Sequence, residues 1–250
     1  MTKKSILIVG ITSGIGRELG SYLLSNDYRV IGVGRDGDKI HSLRKEFEEI
    51  SDDFQLTKLD FSCEREVDNF AKELRLSKVK IQGLVHTAGI TSTLPVKSIN
   101  KTRFDETMHN NVLTFMLMVS HFSNKNFIDS KMGLSIVTLS SIMAEVGQSG
   151  KSLYAASKGA LRSMVKSLAI ELASKGIRVN SVSPGVVNTP MVKNGVYAQD
   201  KVSYENVVNL HPLGIGEVQD VVNLVEYLIS HKSKWVTGSN FTIDGGYTAI

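Results

Sequence analysis

The sequence predicts an α/β protein, doubly wound around a mainly parallel sheet of seven strands with helices on both faces. Three observations carry this. Short apolar, β-branched runs alternate with longer stretches of helical periodicity along most of the chain. The first run, from Ser5 through Ile6, Leu7 and Ile8 to Val9, is apolar without the alternation of a half-exposed strand, as expected where helices cover both faces. The connections stay short until about residue 190, which suits strand-to-helix crossovers of a parallel sheet.

In order, strand Ser5–Val9 leads to a helix from about Gly14 to Asn26, and strand Arg29–Val33 to a charged amphipathic helix from Asp36 to about Ile50. Strand Phe54–Leu59 precedes a helix over Glu64–Leu76, with Ser62 as its expected N-cap. A fourth strand over Ile81–Val85 is followed by a long helical region from Thr102 to about Phe127. Strand Leu134–Leu139, an alanine-rich helix over Ser152–Ser174 and strand Ile177–Val182 come next. Residues 190–212 show no single pattern; a helix over Glu217–Ser230 and a strand over Asn240–Ile243 close the chain.

The 250 residues are 42% hydrophobic and 22% charged, ordinary for a globular protein with one sizeable core. No internal repeat or low-complexity linker divides them, so residues 1–250 are expected to form one domain. The net charge of +4 comes without a basic run, which argues against a nucleic-acid arm. Cys63 is the only cysteine, so no intramolecular disulfide forms. The apolar opening is too short to span a membrane and runs into a glycine turn rather than a cleavage site. It reads as the first strand, and the expectation is a cytoplasmic protein without a membrane partner.

Between the first strand and first helix lies Gly10-Ile11-Thr12-Ser13-Gly14-Ile15-Gly16. The spacing is G-x-x-x-G-x-G. Glycines there permit a tight turn and close approach of a phosphate, and the helix N-terminus offers free N–H groups and positive dipole. Further on, Tyr154 and Lys158 stand at i and i+4 and share a helix face. A nearby ammonium favours the phenolate and is expected to lower the tyrosine pKa, making an acid/base suited to a carbonyl oxygen. Ser140 and Ser141 follow the fifth strand directly, at the sheet end where ligands of open α/β folds bind. The six histidines and single cysteine show no metal-ligand spacing, so no metal is expected.

Together these pieces resemble the short-chain dehydrogenase/reductase family over essentially the whole chain, most closely its 3-oxoacyl-acyl-carrier-protein reductases. The resemblance implies a Rossmann-type sheet and hydride transfer between a nicotinamide dinucleotide and a ketone or alcohol, a 3-oxoacyl thioester among the candidates. It implies Tyr154 as acid/base, Lys158 on the nicotinamide ribose, Ser141 on the substrate oxygen, and Asn111 holding a relay water toward Lys158. Asn110 precedes Asn111 and leaves that register open by one residue; Val112 favours Asn111. The dinucleotide would meet Gly10, Thr12, Ser13, Gly14, Ile15 and Gly16, then Asp60 and Phe61, Ala88 and Gly89, Tyr154 and Lys158, and Pro184, Gly185, Val187 and Thr189. Asp244-Gly245-Gly246 matches the usual ending.

Two departures stand out: Val9 where threonine is common, and His86-Thr87 in place of Asn-Asn. The family residues there brace the turn and the sheet, so local bracing is in question. His86 is expected to be a satisfied core or turn histidine. NADP(H) is expected over NAD(H), because Gly34 stands where a ribose-binding acid would and Arg35 follows it. Asp36, one register away, and Ser13, lacking the basic character of some NADP-preferring relatives, leave NAD(H) as the alternative. Residues 190–212, with Met191, Val192, Tyr197 and Tyr204, are expected to form a substrate lid. Met116 and Met118 suit a core or a subunit interface, and the resemblance implies a homotetramer. An acyl carrier protein is a candidate partner through Lys175, which a helix C-terminus accommodates anyway. Two other functions compete: a non-catalytic dinucleotide-binding regulator, which has no need of the proton-handling set, and a nucleotide-using isomerase or epimerase, against which the short chain weighs.

Overall fold

A computed structural model describes residues 3–129, 132–193 and 201–249. Seven strands form one sheet in the order β3-β2-β1-β4-β5-β6-β7. They are β1 (Ser5–Val9), β2 (Arg29–Gly34), β3 (Phe54–Lys58), β4 (Gly83–His86), β5 (Leu134–Leu139), β6 (Ile177–Pro184) and β7 (Asn240–Ile243). Every neighbouring pair is parallel. The helices are α1 (Gly14–Ser25), α2 (Gly37–Glu48), α3 (Glu64–Leu76), α4 (Lys101–Met108), α5 (Thr114–Phe122), α6 (Ser152–Leu172), the short α7 (Pro190–Lys193), α8 (Lys201–Asn209) and α9 (Val218–Ile229).

The apolar runs become strands because both faces are covered. Residues of β1 alternate between two cores. Leu7 and Val9 pack with Phe70, Phe115, Phe122 and Leu161 from α3, α5 and α6. Ile6 and Ile8 pack with Leu19, Leu23, Phe47 and Val225 from α1, α2 and α9. Fully burying one such side chain contributes about 1.5–3 kcal/mol. The chain reverses direction about β1, whose neighbours are β2 and β4, so a crevice opens between the carboxyl ends of β1 and β4.

Several boundaries differ from the sequence expectation. The N-cap of α3 is Cys63, not Ser62: the Ser62 hydroxyl and N–H both donate to Asp60 Oδ1, at 2.5 and 3.0 Å. Strand β4 is shifted to Gly83–His86, and Ile81 makes only an isolated parallel bridge with Ile128. The long helical region is interrupted at His109–Leu113 by a π-helical turn between α4 and α5. Strand β6 runs two residues further, to Pro184. Within 190–212 lie α7 and α8; Tyr197 is outside the described residues.

Candidate active site

The glycine turn closes on the first residues after β4. Gly10 has φ +89, and a Cβ there would lie 2.7 Å from Ala88 N; a Cβ on Gly16 would lie 2.4 Å from Gly10 O. Only glycine keeps this turn closed while leaving the N-terminus of α1 bare, and Ser13, its N-cap, makes no side-chain cap. Thr87 supplies the brace questioned from sequence: its hydroxyl reaches Val9 O at 2.9 Å and Gly10 O at 3.2 Å. Across the crevice, the Cβ position of Gly14 is 3.7 Å from Thr189 Cγ2. The turn and the 184–189 segment therefore form opposite walls.

Ser141, Tyr154, Lys158 and Gly89 line one cavity of about 490 Å³. Ser141 caps a 3₁₀ turn over Ile142–Ala144, its Oγ accepting from Met143 N. Lys158 is buried, with Nζ donating to Leu139 O at 2.8 Å and standing 5.8 Å from the Tyr154 ring centroid. The Cβ position of Gly89 is 3.1 Å from Asn111 Oδ1 and 3.3 Å from Lys158 Nζ. Asn111 Oδ1 accepts from Ile90 N at 2.7 Å, and Nδ2 donates to Ile90 O at 3.0 Å and Ser157 Oγ at 2.9 Å. Of the two asparagines that the sequence left open, Asn111 is the one beside Gly89, while Asn110 accepts from Arg35. The Asn111 amide is committed to the 89–90 segment and α6.

Burial dominates the local electrostatics. It pushes Lys158 down to about 8. It also raises Tyr154, opposed by the hydrogen bond from Ser141. The direction is opposite to the sequence expectation of a tyrosine lowered by the lysine one turn away, because removing the phenolate from water outweighs the hydrogen bond from Ser141. His86 is pushed down to about 3, chiefly by burial and then by Lys158. It is only half satisfied: Nε2 pairs with Thr114 Oγ1 at 3.0 Å, while Nδ1 has no partner among the described residues.

At the ends of β2 and β3, Arg35 is exposed, lies 5.4 Å over the Phe61 ring and donates to Asn110 Oδ1 at 2.5 Å. Asp36 accepts from Asp38 N and Lys39 N at 3.1 Å as the cap of α2, so its carboxylate is turned into that helix. Asp60 is held below the usual carboxylate range, first by the Ser62 hydrogen bond. Ala88 is buried beside the turn. Ile15, Gly89, Pro184, Gly185, Val187 and Thr189 all border the cavity; of the other turn residues, Gly10 and Gly16 close the turn, Gly14 faces Thr189, Thr12 packs against Gly34 and Ser13 is the N-cap of α1. Lys175 is exposed just past α6.

Two contributors escaped the sequence reading. His211 Nε2 accepts from Val186 N at 3.1 Å, its Nδ1 pairs with Val207 O at 2.7 Å, and the ring packs on Tyr247, fixing the 184–187 wall. Lys151 lies buried in the cavity. Three residues before Tyr154, it was legible as a cation at a helix start, where the dipole disfavours one. Among the described residues no group of His, Cys, Asp or Glu is arranged to hold a metal, and no helix is long and apolar enough to cross a membrane.

A family model described as enoyl-(acyl carrier protein) reductase matches residues 10–248. L-xylulose reductase of Caenorhabditis elegans is 33% identical, covering 99% of this chain and 96% of that protein. A 3-oxoacyl-acyl-carrier-protein reductase of Buchnera aphidicola is 31% identical over 98% and 97% of the two chains. Among solved structures, ElxO with NADP bound has a TM-score of 0.88 at 26% identity and covers 100% of both chains. 4-hydroxyisoleucine dehydrogenase complexed with NADH has a TM-score of 0.89 at 30% identity over 99% and 100%. With the parallel sheet, the glycine turn and the serine, tyrosine and lysine gathered in one cavity, these matches establish that the chain belongs to the short-chain dehydrogenase/reductase family.

Proposed function

We propose that this chain is an oxidoreductase that reduces a ketone, or oxidises the corresponding alcohol, with NADP(H) preferred over NAD(H). The observation that carries the reading is the convergence of Ser141, Tyr154 and Lys158 on one cavity beside a glycine turn that no side chain could enter. The turn fits a dinucleotide: Gly10 and Gly16 leave no room for a Cβ, and the start of α1 is uncapped. Residues 10–16 would hold the pyrophosphate, Arg35 and Phe61 the adenosine end, Asp60 and Ala88 the adenine side, and Val187 and Thr189 the nicotinamide end. The bound dinucleotide supplies or accepts the hydride. In reduction, Tyr154 donates its phenolic proton to the carbonyl oxygen while Ser141 hydrogen-bonds that oxygen. Lys158 holds positive charge beside the tyrosinate that remains. Asn111 acts by position, tying Ile90 to Ser157.

Residues 1–250 are proposed as one domain, with α7 and α8 as a substrate lid: Met191, Val192, Val207 and Leu210 line the cavity, whereas Tyr204 is exposed. The names of the relatives point to a small ketone such as a sugar, or to a 3-oxoacyl thioester. An acyl carrier protein would accompany only the latter. Exposed Leu113 and Met116 beside buried Met118, and exposed Ile170 on α6, suit the α5 and α6 faces to a homotetramer. Tyr154→Phe tests the mechanism. NADPH titration should be unchanged within about twofold, while turnover of the best substrate falls about 10²–10⁴-fold, the usual worth of a positioned proton donor. Near-normal turnover would remove Tyr154 from the chemistry.

A further inference from the structure

We propose that the chain carries a second ligand site, at the amino ends of β5 and β6, that takes a nucleoside phosphate with its base stacked on Trp235. The inference does not rest on the oxidoreductase reading, because no described residue lines both this cavity and that of Tyr154.

A cavity of about 470 Å³ opens there, within the size range of small-molecule sites. Leu134 and Ile177, the first residues of β5 and β6, line it, whereas Leu139 and Pro184, the last residues of the same strands, line the cavity of Tyr154. The two cavities therefore lie at opposite ends of the sheet. Leu134, Ile177 and Ile229 give this one an apolar floor. Lys4, Arg178 and Lys234 bring three cations to its walls, and His231 a protonatable ring. No carboxylate is among the described residues that line it. None of these four side chains makes an ion pair among the described residues. The carboxylate bonded to the lining, that of Asp129, accepts from Met132 N at 2.9 Å and from Gln82 Nε2 at 3.4 Å.

Trp235 also lines the cavity, and it is the only tryptophan of the chain. It is 96% exposed, although an indole ordinarily buries most of its large surface. The exposure comes from a pinned turn. The Ser233 hydroxyl donates to Leu228 O at 2.9 Å and to Ser230 O at 3.0 Å. Lys234 N donates to His231 O at 3.2 Å and Val236 N to Ser233 O at 2.9 Å, so the residues on both sides of Trp235 are held. Arg178 ties the same segment to β6, donating to Val236 O at 3.0 Å, Leu228 O at 2.9 Å and Ser230 O at 3.3 Å. Its guanidinium is spent on those carbonyls and contributes charge; Lys234 and His231 would make the direct contacts to a phosphate. An aromatic face kept in water beside cations suits a base and its phosphate, since every base has a face to stack and the phosphate satisfies the cations. A bare inorganic anion has no use for the indole, and an uncharged ring has none for the lysines.

The single tryptophan makes the test direct. AMP and GMP are titrated into the whole protein, with and without NADP⁺ occupying the crevice at α1, while Trp235 emission is followed. Both nucleotides should quench it saturably in either condition. Lys234→Gln, which keeps the reporter, should weaken the quenching about 5–10-fold, the low end for a charge-assisted hydrogen bond from an exposed lysine. By calorimetry Trp235→Ala should weaken AMP about 5–150-fold, the worth of one base on one aromatic ring, and Trp235→Phe should recover part of that. NADP⁺ affinity should stay within about twofold of wild type in all three variants, which shows that they fold. Quenching that NADP⁺ abolishes and Lys234→Gln leaves unchanged overturns the site, because the nucleotide is then in the crevice. Inorganic phosphate acting as well as AMP overturns it in favour of an unspecific anion contact, and a single-stranded oligonucleotide acting where AMP does not overturns it in favour of a nucleic-acid surface. Emission that depends on protein concentration and not on nucleotide makes Trp235 a contact between copies of the chain and also overturns it, as does the absence of any quenching up to millimolar nucleotide.

Discussion

Replacing Arg35 by alanine should weaken NADPH binding about 5–30-fold while changing NADH binding by less than about twofold. The geometry sets the size. Asp36, the carboxylate next in sequence, caps α2 through Asp38 N and Lys39 N and pairs with Lys39 Nζ at 3.4 Å, so it is not presented to a ribose. Gly34 offers none either, and a Cβ there would lie 2.5 Å from Thr12 Cγ2. That leaves Arg35, with Phe61 beneath its guanidinium, as the group we propose to discriminate a 2′-phosphate. A charge-assisted hydrogen bond is worth about 1.5–3 kcal/mol, from which exchange of the bond to Asn110 Oδ1 subtracts about 0.5–1.5. A net 1–2 kcal/mol or so corresponds to the factor above. Lys58 keeps the loss from being larger: its Nζ is 3.9 Å from where a Gly37 Cβ would stand, so a second cation faces the same loop. The assay is fluorescence titration of both reduced dinucleotides to wild type and Arg35→Ala at low and high salt. The NADPH advantage should shrink with ionic strength, because both cations are exposed. Equal affinities in wild type, or an unchanged NADPH affinity in the variant, would refute the reasoning.

Two further outcomes follow from burial and space. Burial holds Lys158 at about 8 rather than 10.5, so its protonated form penalises the fold by about 3 kcal/mol; that penalty is complete below about pH 8 and gone once the unfolded lysine also deprotonates. Lys158→Met, which also strands Leu139 O, should therefore be more stable than wild type by about 1–2 kcal/mol at pH 7 in denaturant titrations, lose that advantage near pH 10.5, and be inactive; a variant less stable at pH 7 would contradict this. Gly16→Ala would place a Cβ 2.4 Å from Gly10 O and 2.5 Å from Thr87 Oγ1, so it should lower stability by about 1–3 kcal/mol and NADPH affinity at least tenfold. Gly159→Ala on α6, with nothing within 4 Å of the new Cβ, should instead gain up to about 1 kcal/mol, and equal effects at the two glycines would refute the packing argument.

Much of this was legible in the chain because parallel strands covered on both faces must be apolar throughout, and β1, β5 and β7 fall where the runs fall. Ser141, Tyr154 and Lys158 were legible because a strand end and a helix face hold them at fixed spacing. What was hidden depends on tertiary partners. Ser62 looks like a cap until Asp60 takes its hydroxyl. The spacing of Tyr154 and Lys158 suggests a lowered tyrosine pKa, but the depth of the site sets the opposite direction. Lys151 belongs to a residue type that is usually solvated, and its burial shows only once the start of α6 is packed against the 91–94 segment. The π turn at His109–Leu113 leaves no mark on hydrophobic periodicity; it is fixed by where Asn111 finds its partners.

That turn also bears on His86-Thr87, which stand in place of two asparagines. Successive residues on it face different ways: Asn110 accepts from Arg35, and Asn111 bonds to Ile90 and Ser157. Irregular helical turns of this kind recur at functional sites. Thr114 donates its hydroxyl proton to Asn110 O at 2.7 Å. It therefore has only an acceptor left for His86, so His86 carries its proton on Nε2 and donates it at 3.0 Å. The depressed His86 pKa keeps the ring in that neutral form throughout the range in which the enzyme would work. His86 thus holds Thr114, whose hydroxyl binds Asn110 of the π turn, while Thr87 supports the glycine turn through Val9 O and Gly10 O. The two positions divide the bracing between them, His86 through Thr114 at the end of the π turn and Thr87 at the glycine turn.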